Sequence, residues 1–188
     1  MGSPKALLPL EGRPLLLRVL GEILISDLDR VILVYGAKGN SIRRILQNSS
    51  LPPKLVLVYN PAYRQGISTS IKKGLNKLYP ETEGLMFLVG DQPFLKASVI
   101  NRLIKEFLKE PDHIVVPYYG QRPGNPVIFP ASFVPALQAL EGDTGGREVI
   151  RRHPARVQSV QIRPLRIGWD VDTPEDYRKV REYFNEKS

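Results

Sequence analysis

Short apolar runs alternate along this chain with longer stretches in which apolar residues return every three or four positions. The densest run is Leu85-Met86-Phe87-Leu88-Val89. Five apolar residues without polar alternation predict a strand buried on both faces of a sheet. Gly90 and Pro93 end it, so Asp91 falls at the carboxyl end of a central strand, the edge where open α/β sheets place their ligands. Val31 to Tyr35, closed by Gly36, and Leu55 to Tyr59, closed by Asn60-Pro61, predict two more buried strands. Ile114 to Val116 predicts another, a loop enters a strand at Val127, and Val157 to Ile162 alternates loosely, as an antiparallel strand would.

The helical stretches lie between these runs. Leu16, Val19, Leu20, Ile23 and Leu24 predict a helix from about 14 to 26, with Pro14 suited to its first position. Ser41 predicts the cap of a short helix reaching about Leu46. Ile71, Leu75 and Leu78 make one apolar stripe, and Val99, Ile100, Leu103, Ile104, Phe107 and Leu108 make another. Phe133, Leu137 and Leu140 predict a short helix stopped by Gly142, followed by one around Arg147 to Arg152. Tyr177, Val180 and Phe184 predict a terminal helix, with Thr173 as N-cap, Pro174 in its first position, and Glu175 and Asp176 complementing its dipole. Strands alternating with helices predict a three-layer, mostly parallel α/β fold in a single domain over residues 1–188.

Composition narrows the partners. The chain is 42% hydrophobic and 24% charged, ordinary for a globular domain with a substantial core. Its longest apolar stretch, around Pro14 to Ile25, is interrupted by Arg18 and Glu22, short of the roughly 20 residues that cross a bilayer. No secretory pattern is visible and there is no cysteine, so the expected location is cytoplasmic, with no membrane partner and no thiolate metal site. A net charge of +8 favours anionic partners. The basic residues, as in Arg43-Arg44, Lys72-Lys73 and Arg151-Arg152, are scattered and not interleaved with aromatics, which argues against nucleic acid. No Gly-x-Gly-x-x-Gly follows a strand, which argues against a nicotinamide dehydrogenase.

Three features carry candidate chemistry. Asp91 ends a central strand, and Asp170 and Asp172 precede the terminal helix. Few carboxylates, completed by water and phosphate, suit Mg²⁺, although each aspartate also reads as an ordinary turn or helix-start residue. Lys5 can neutralise a triphosphate or simply face solvent. The loop Tyr63-Arg64-Gln65-Gly66-Ile67-Ser68-Thr69-Ser70, at the start of a helix, suits an anion or a base edge, or plain N-capping by Ser68 or Thr69. His113 and His153 stand in no recognisable catalytic setting.

Six segments occur in order: PKALLPLEGRPLL from Pro4, NPAYRQGISTSIKKGL from Asn60, VGDQPFL from Val89, YYGQRPGNPVIF from Tyr118, GDTGGR from Gly142 and DVDTPEDY from Asp170. Together they resemble the MobA-like nucleotidyltransferases, within them the molybdenum-cofactor cytidylyltransferase branch, over essentially all 188 residues. The resemblance implies a Rossmann-like α/β fold binding a nucleoside triphosphate and Mg²⁺ at the carboxyl edge of its sheet. It implies that Lys5 contacts phosphates, that Gly66 and Ser68 line the base and ribose region, that Asp91 and Asp172 hold the metal with Asp170 assisting, and that Gly124-Asn125-Pro126 faces a pterin acceptor. Many relatives carry histidine where Asn125 stands. The implied reaction is Mg²⁺-dependent transfer of CMP from CTP to a molybdopterin-type phosphate, with a molybdoenzyme or its maturation factor as a further partner. Other phosphorylated acceptors remain open, as does a non-catalytic nucleotide- or pterin-binding protein.

The family pattern begins earlier than this chain, with a buried strand and Leu-Ala-Ala-Gly-x-Ser-x-Arg-Met-Gly. Met1-Gly2 resembles the end of that pattern, so the expectation is a domain without its first central strand and most of its glycine-rich phosphate loop.

Overall fold

The computed structural model describes residues 5–37, 39–47 and 52–186. Met1, Gly2 and Pro4, matched above to the family pattern, lie outside them. A 3-10 turn at Lys5–Leu7 leads into a small antiparallel hairpin, β1 (Pro9–Leu10) with β2 (Arg13–Pro14), turned by Glu11 and Gly12 at positive φ. Next come α1 (Leu15–Leu24), β3 (Val31–Tyr35), α2 (Gly39–Gln47), β4 (Leu55–Tyr59), α3 (Ile67–Leu75), β5 (Gly84–Phe87) and α4 (Ala97–Lys109). The chain continues through β6 (Ile114–Tyr119), β7 (Arg122–Pro123), β8 (Val127–Pro130), α5 (Val134–Gln138), α6 (Gly146–Arg152), β9 (Val157–Gln161) and α7 (Pro174–Asn185).

The sheet is mixed. β3 pairs parallel with β4; β8 lies antiparallel between β5 and β6; β9 pairs parallel with β6, whose end folds back into β7. β5 and β6 both run against β8, so β5, β6 and β9 share one direction. One apolar cluster joins α1, α2 and α4 to one face through Val19, Leu46, Ile100 and Leu103, and another joins α3, α5 and α6 to the other through Leu75, Leu137 and Val149. A third, with Leu10, Leu15, Phe94, Val171 and Val180, ties the first hairpin to α7.

Several local expectations are corrected. Pro14 is the N-cap of α1 and not its first residue, because it still pairs with Pro9. α2 starts at Gly39, so Ser41 lies inside that helix. β9 is parallel and not antiparallel, since the chain crosses over through α5 and α6 before returning beside β6. The N-cap of α3 is Gly66, displacing Ser68 and Thr69 from that role. The ladder of β5 stops at Phe87, opposite Val127, leaving Leu88 and Val89 outside it.

Among the described strands the sheet falls into two pieces, because β3 and β5 each pair on one side only. A hollow of about 1080 Å³ separates them, lined by Ile32 to Tyr35 on one edge and Leu85 to Gly90 on the other. No described helix is long and apolar enough to cross a membrane.

Candidate active site at the carboxyl edge

Asp91 follows the unpaired end of β5. Its backbone carbonyl accepts a hydrogen bond from the Val171 amide at 3.0 Å, which clips the segment Asp170-Val171-Asp172 against it. Val171, fully buried, anchors that segment in the third core cluster. Asp172 and the Thr173 amide are held in turn by the capping box of α7. Thr173 accepts from the Asp176 amide at 3.1 Å, and Asp176 accepts from the amides of Asp172 and Thr173 and from the Thr173 hydroxyl. Asp91 and Asp172, 81 residues apart in sequence, are thereby placed by backbone contacts.

Lys5 completes the group. Its Nζ lies 2.7 Å from Asp172 Oδ1, in a half-exposed ion pair. That hydrogen bond raises the lysine's pKa, with Asp91 and Asp176 adding to the effect. Asp91 is pushed above the ordinary carboxylate range, first by burial and then by the charges of Asp170 and Asp172, and its buried Oδ1 has no hydrogen-bond partner. Partial desolvation likewise raises Asp170, partly opposed by a hydrogen bond from Gln92. Gln92 is itself 1% exposed. Three aspartates only partly offset by Lys5 and Arg122, with a buried, unpartnered carboxylate oxygen among them, fit a hard divalent cation. Among the described residues no three His, Cys, Asp or Glu side chains converge into a ready-made cage, so water or phosphate would complete the shell of such an ion.

The segment Gly124-Asn125-Pro126 reaches the same edge. Gly124 donates to the Pro117 carbonyl, and Asn125 offers its carbonyl to the Tyr119 hydroxyl at 2.6 Å. The Tyr119 ring is buried, its hydroxyl pushed up in pKa by desolvation and by Asp170. A Cβ at Gly124 would meet this ring at 2.8 Å and one at Gly168 would meet it at 2.4 Å. One tyrosine therefore spaces Gly124-Asn125-Pro126 from the segment carrying Asp170. Arg122, in β7, lies close enough to Asp170 to favour its charged form.

Gly66 and Ser68 stand apart from this group and meet a different loop. Gly66 has φ 111°, and a Cβ there would sit 2.1 Å from the Gly142 carbonyl. Asp143 Oδ1 accepts from the Ile67 amide at 3.2 Å, and the Gly142 carbonyl accepts from the Ser68 amide at 3.2 Å. Ser68 is 2% exposed. The first amides of α3 are thus capped from the GDTGGR turn rather than left open to an anion. Asn60, fully buried, bridges the hydroxyls of Thr69 and Ser70 and accepts from the Ala62 amide.

Sequence reasoning missed Gln92, Tyr119, Arg122 and Asp143. All four stand inside quoted motifs, but only the folded chain shows that Gln92 serves Asp170 and Asp143 the α3 terminus.

The chain is similar to several known proteins. Residues 1–157 match the MobA-like NTP transferase domain. The chain is 27% identical over 188 residues to the molybdenum cofactor cytidylyltransferase of Escherichia coli K12, covering 99% of this chain and 91% of that protein. It is 29% identical over 186 residues to the nicotine blue oxidoreductase of Paenarthrobacter nicotinovorans, covering 95% and 88%. The crystal structure of Rv0371c from Mycobacterium tuberculosis H37Rv, solved as a complex with manganese, superposes with a TM-score of 0.77 at 26% identity, over 96% of this chain and 93% of that one.

Proposed function

Because this chain belongs to the MobA-like NTP transferase family, we propose that it transfers CMP from CTP to the terminal phosphate of a molybdopterin-type acceptor in a Mg²⁺-dependent reaction. One observation carries the reading: Asp91, Asp172 and Lys5 meet at the sheet edge, with the Asp91 Oδ1 buried and unpartnered. An acceptor phosphate oxygen attacks the α-phosphorus; a new P–O bond forms there as the bond to the β-phosphate bridge breaks, and pyrophosphate leaves with the electron pair. An acceptor phosphate is already anionic at neutral pH, so no general base is required. Asp91 and Asp172, assisted by Asp170, would hold the Mg²⁺, which supplies charge neutralisation at the phosphates.

The chain's own residues position and screen. Lys5, paired with Asp172 in the free protein, carries a charge within reach of the same phosphates. Gly66 and Ser68, fixed against Gly142 and Asp143, face the base and ribose in this reading. Gly124, Asn125 and Pro126, spaced from Asp170 by Tyr119, hold the acceptor in line. One relative is named an oxidoreductase, but the acid–lysine geometry at the sheet edge supports phosphoryl chemistry. The test is pyrophosphate release from CTP, GTP and ATP with Mg²⁺ and molybdopterin. Release from CTP is the expected result, and no release from any nucleotide rejects the reading.

A second reading, a non-catalytic nucleotide- or pterin-binding protein, is favoured by the α3 amides already capped by Gly142 and Asp143. Calorimetry separates the two. Mg²⁺-dependent CTP binding supports the transferase, and pterin binding alone supports the binding protein.

A further inference from the structure

The β6–β7 hairpin carries an exposed cation beside the acceptor segment. Gly120 and Gln121 form its turn, Gly120 with φ 70°, so Tyr119 and Arg122 stand directly opposite each other and project from one face. The alternation of an extended chain puts Gly124 on that face too, two residues beyond Arg122. The contacts agree. A Cβ at Gly124 would meet the Tyr119 ring at 2.8 Å, and the Tyr119 hydroxyl donates to the Asn125 carbonyl at 2.6 Å.

The other side of the ring is built in the same way. Gly168 lies against it, and across the extended Trp169 the chain brings Asp170 to the same side as Gly168. Trp169 and Val171 turn the opposite way: Trp169 stands edge-on to Phe94, and Val171 is buried in the cluster that contains Phe94. Tyr119 is thus held between two short segments, one carrying Arg122 and the other Asp170. Lys5 is engaged by Asp172 at 2.7 Å, and Arg166 stacks over the Tyr183 ring at 5.0 Å. Arg122 is exposed. It lies close enough to Asp170 to favour its charged form, yet no carboxylate among the described residues stands in an ion pair with it.

Three aspartates beside Gly124-Asn125-Pro126 repel any phosphate brought up to that segment. A guanidinium on the acceptor side offsets them, stays charged at every working pH, and offers a planar fork that fits a phosphate monoester bidentately. An alcohol gives that fork no charge to pair with. We propose that Arg122 is the specificity-determining residue for the acceptor: it binds the acceptor's terminal phosphate and so selects phosphate monoesters over the corresponding alcohols. This role rests on the acceptor reading above and names the group that the acceptor must carry. Arg122 neither gives nor takes a proton; it fixes where the attacking phosphate lies.

The test compares hydroxymethylpterin phosphate with hydroxymethylpterin, read by pterin fluorescence. It uses the full chain with Mg²⁺ and a CTP analogue whose α- and β-phosphates are joined by a methylene bridge. The wild type is expected to bind the phosphate form about tenfold or more tightly than the alcohol. Arg122→Gln should bind the two alike, and Arg122→Lys should keep part of the preference, because an ammonium retains the charge but not the fork. Melting temperatures with and without Mg²⁺ report on Asp91, Asp170 and Asp172, and should shift alike in all three proteins. A wild type that binds both forms equally, or neither, overturns the proposal, as does an undiminished preference in Arg122→Gln. If Arg122→Gln loses its Mg²⁺ response together with the preference, Arg122 acts only as the charge partner of Asp170, which also overturns it. The assay needs no turnover, so its outcome is separate from that of the reaction. A phosphate preference that depends on Arg122, without pyrophosphate release from molybdopterin and any nucleotide, rejects the reaction alone. Release with an acceptor KM unchanged in Arg122→Gln rejects the Arg122 role alone.

Discussion

Gly168 lies two residues before Asp170, and its replacement by alanine tests whether Tyr119 sets the spacing of the site. An ideal Cβ at Gly168 would stand 2.4 to 2.6 Å from Cδ2, Cε2 and Cγ of the Tyr119 ring. Far from a flexible side-chain end, this is the middle of a buried ring tethered by its hydroxyl to Asn125. Forcing a methyl into such packing costs about 1–3 kcal/mol, and losing the tyrosine hydrogen bond adds about 1 kcal/mol. Against this, alanine restricts the unfolded chain and returns about 0.4–1 kcal/mol. The net is about 1–3.5 kcal/mol, or a melting temperature lowered by roughly 2–14 °C for a chain of this size. Gly168→Ala should also slow turnover more than it weakens nucleotide binding, because it displaces Asp170 and Asn125 while leaving Gly66 untouched. Thermal melts and steady-state kinetics read both effects. Tyr119→Leu in the same background should recover part of the loss, with a coupling of about 1 kcal/mol or more in a double-mutant cycle. A Gly168→Ala protein that melts with the wild type, with additive double-mutant energetics, refutes the spacer role.

Three further outcomes follow from the same contacts. Asp91→Asn should abolish any divalent-dependent rise in melting temperature. Asp91 has a raised folded pKa, so its stability contribution is full below the ordinary carboxyl pKa and is lost as pH rises through the folded value. The asparagine variant should therefore be more stable than wild type near pH 7 in urea melts without metal, with the gain fading below about pH 4; a variant less stable at pH 7 counts against the repulsion among Asp91, Asp170 and Asp172. Gly66→Ala places a methyl 2.1 Å from the Gly142 carbonyl at φ 111°. It should destabilise by about 2 kcal/mol or more and raise exchange at the Ile67 and Ser68 amides. Thr173→Ala removes half of a capping box and should cost about 1 kcal/mol, with weaker divalent binding because Asp172 loses its anchor.

Much of the architecture could be read from the chain because its signals are local. The apolar run ending at Gly90 marks β5 and the site-bearing loop, and Thr173-Pro174 marks the start of α7. The direction of β9 could not be read, since five residues carry no record of which neighbour they will join. What holds the start of α3 cannot be read locally, because Asp143, which accepts from the Ile67 amide, is 76 residues away in sequence. Within the site, Asp91, Asp170, Asp172 and Lys5 were visible as residue types in recurring motifs, whereas Tyr119 and Gln92 look like ordinary core and turn residues. Their work is to fix distances between distant segments, which requires the folded chain.

If Asp91, Asp172 and Lys5 organise transfer of a nucleotidyl group, CTP bearing a radioactive α-phosphate, incubated with Mg²⁺, molybdopterin and the protein, measures that transfer directly. Label should appear in the pterin product in step with pyrophosphate, with a loss of about 100-fold or more on Asp91→Asn. Label that stays in CTP, or transfer that survives Asp91→Asn unchanged, would contradict this role for the three residues.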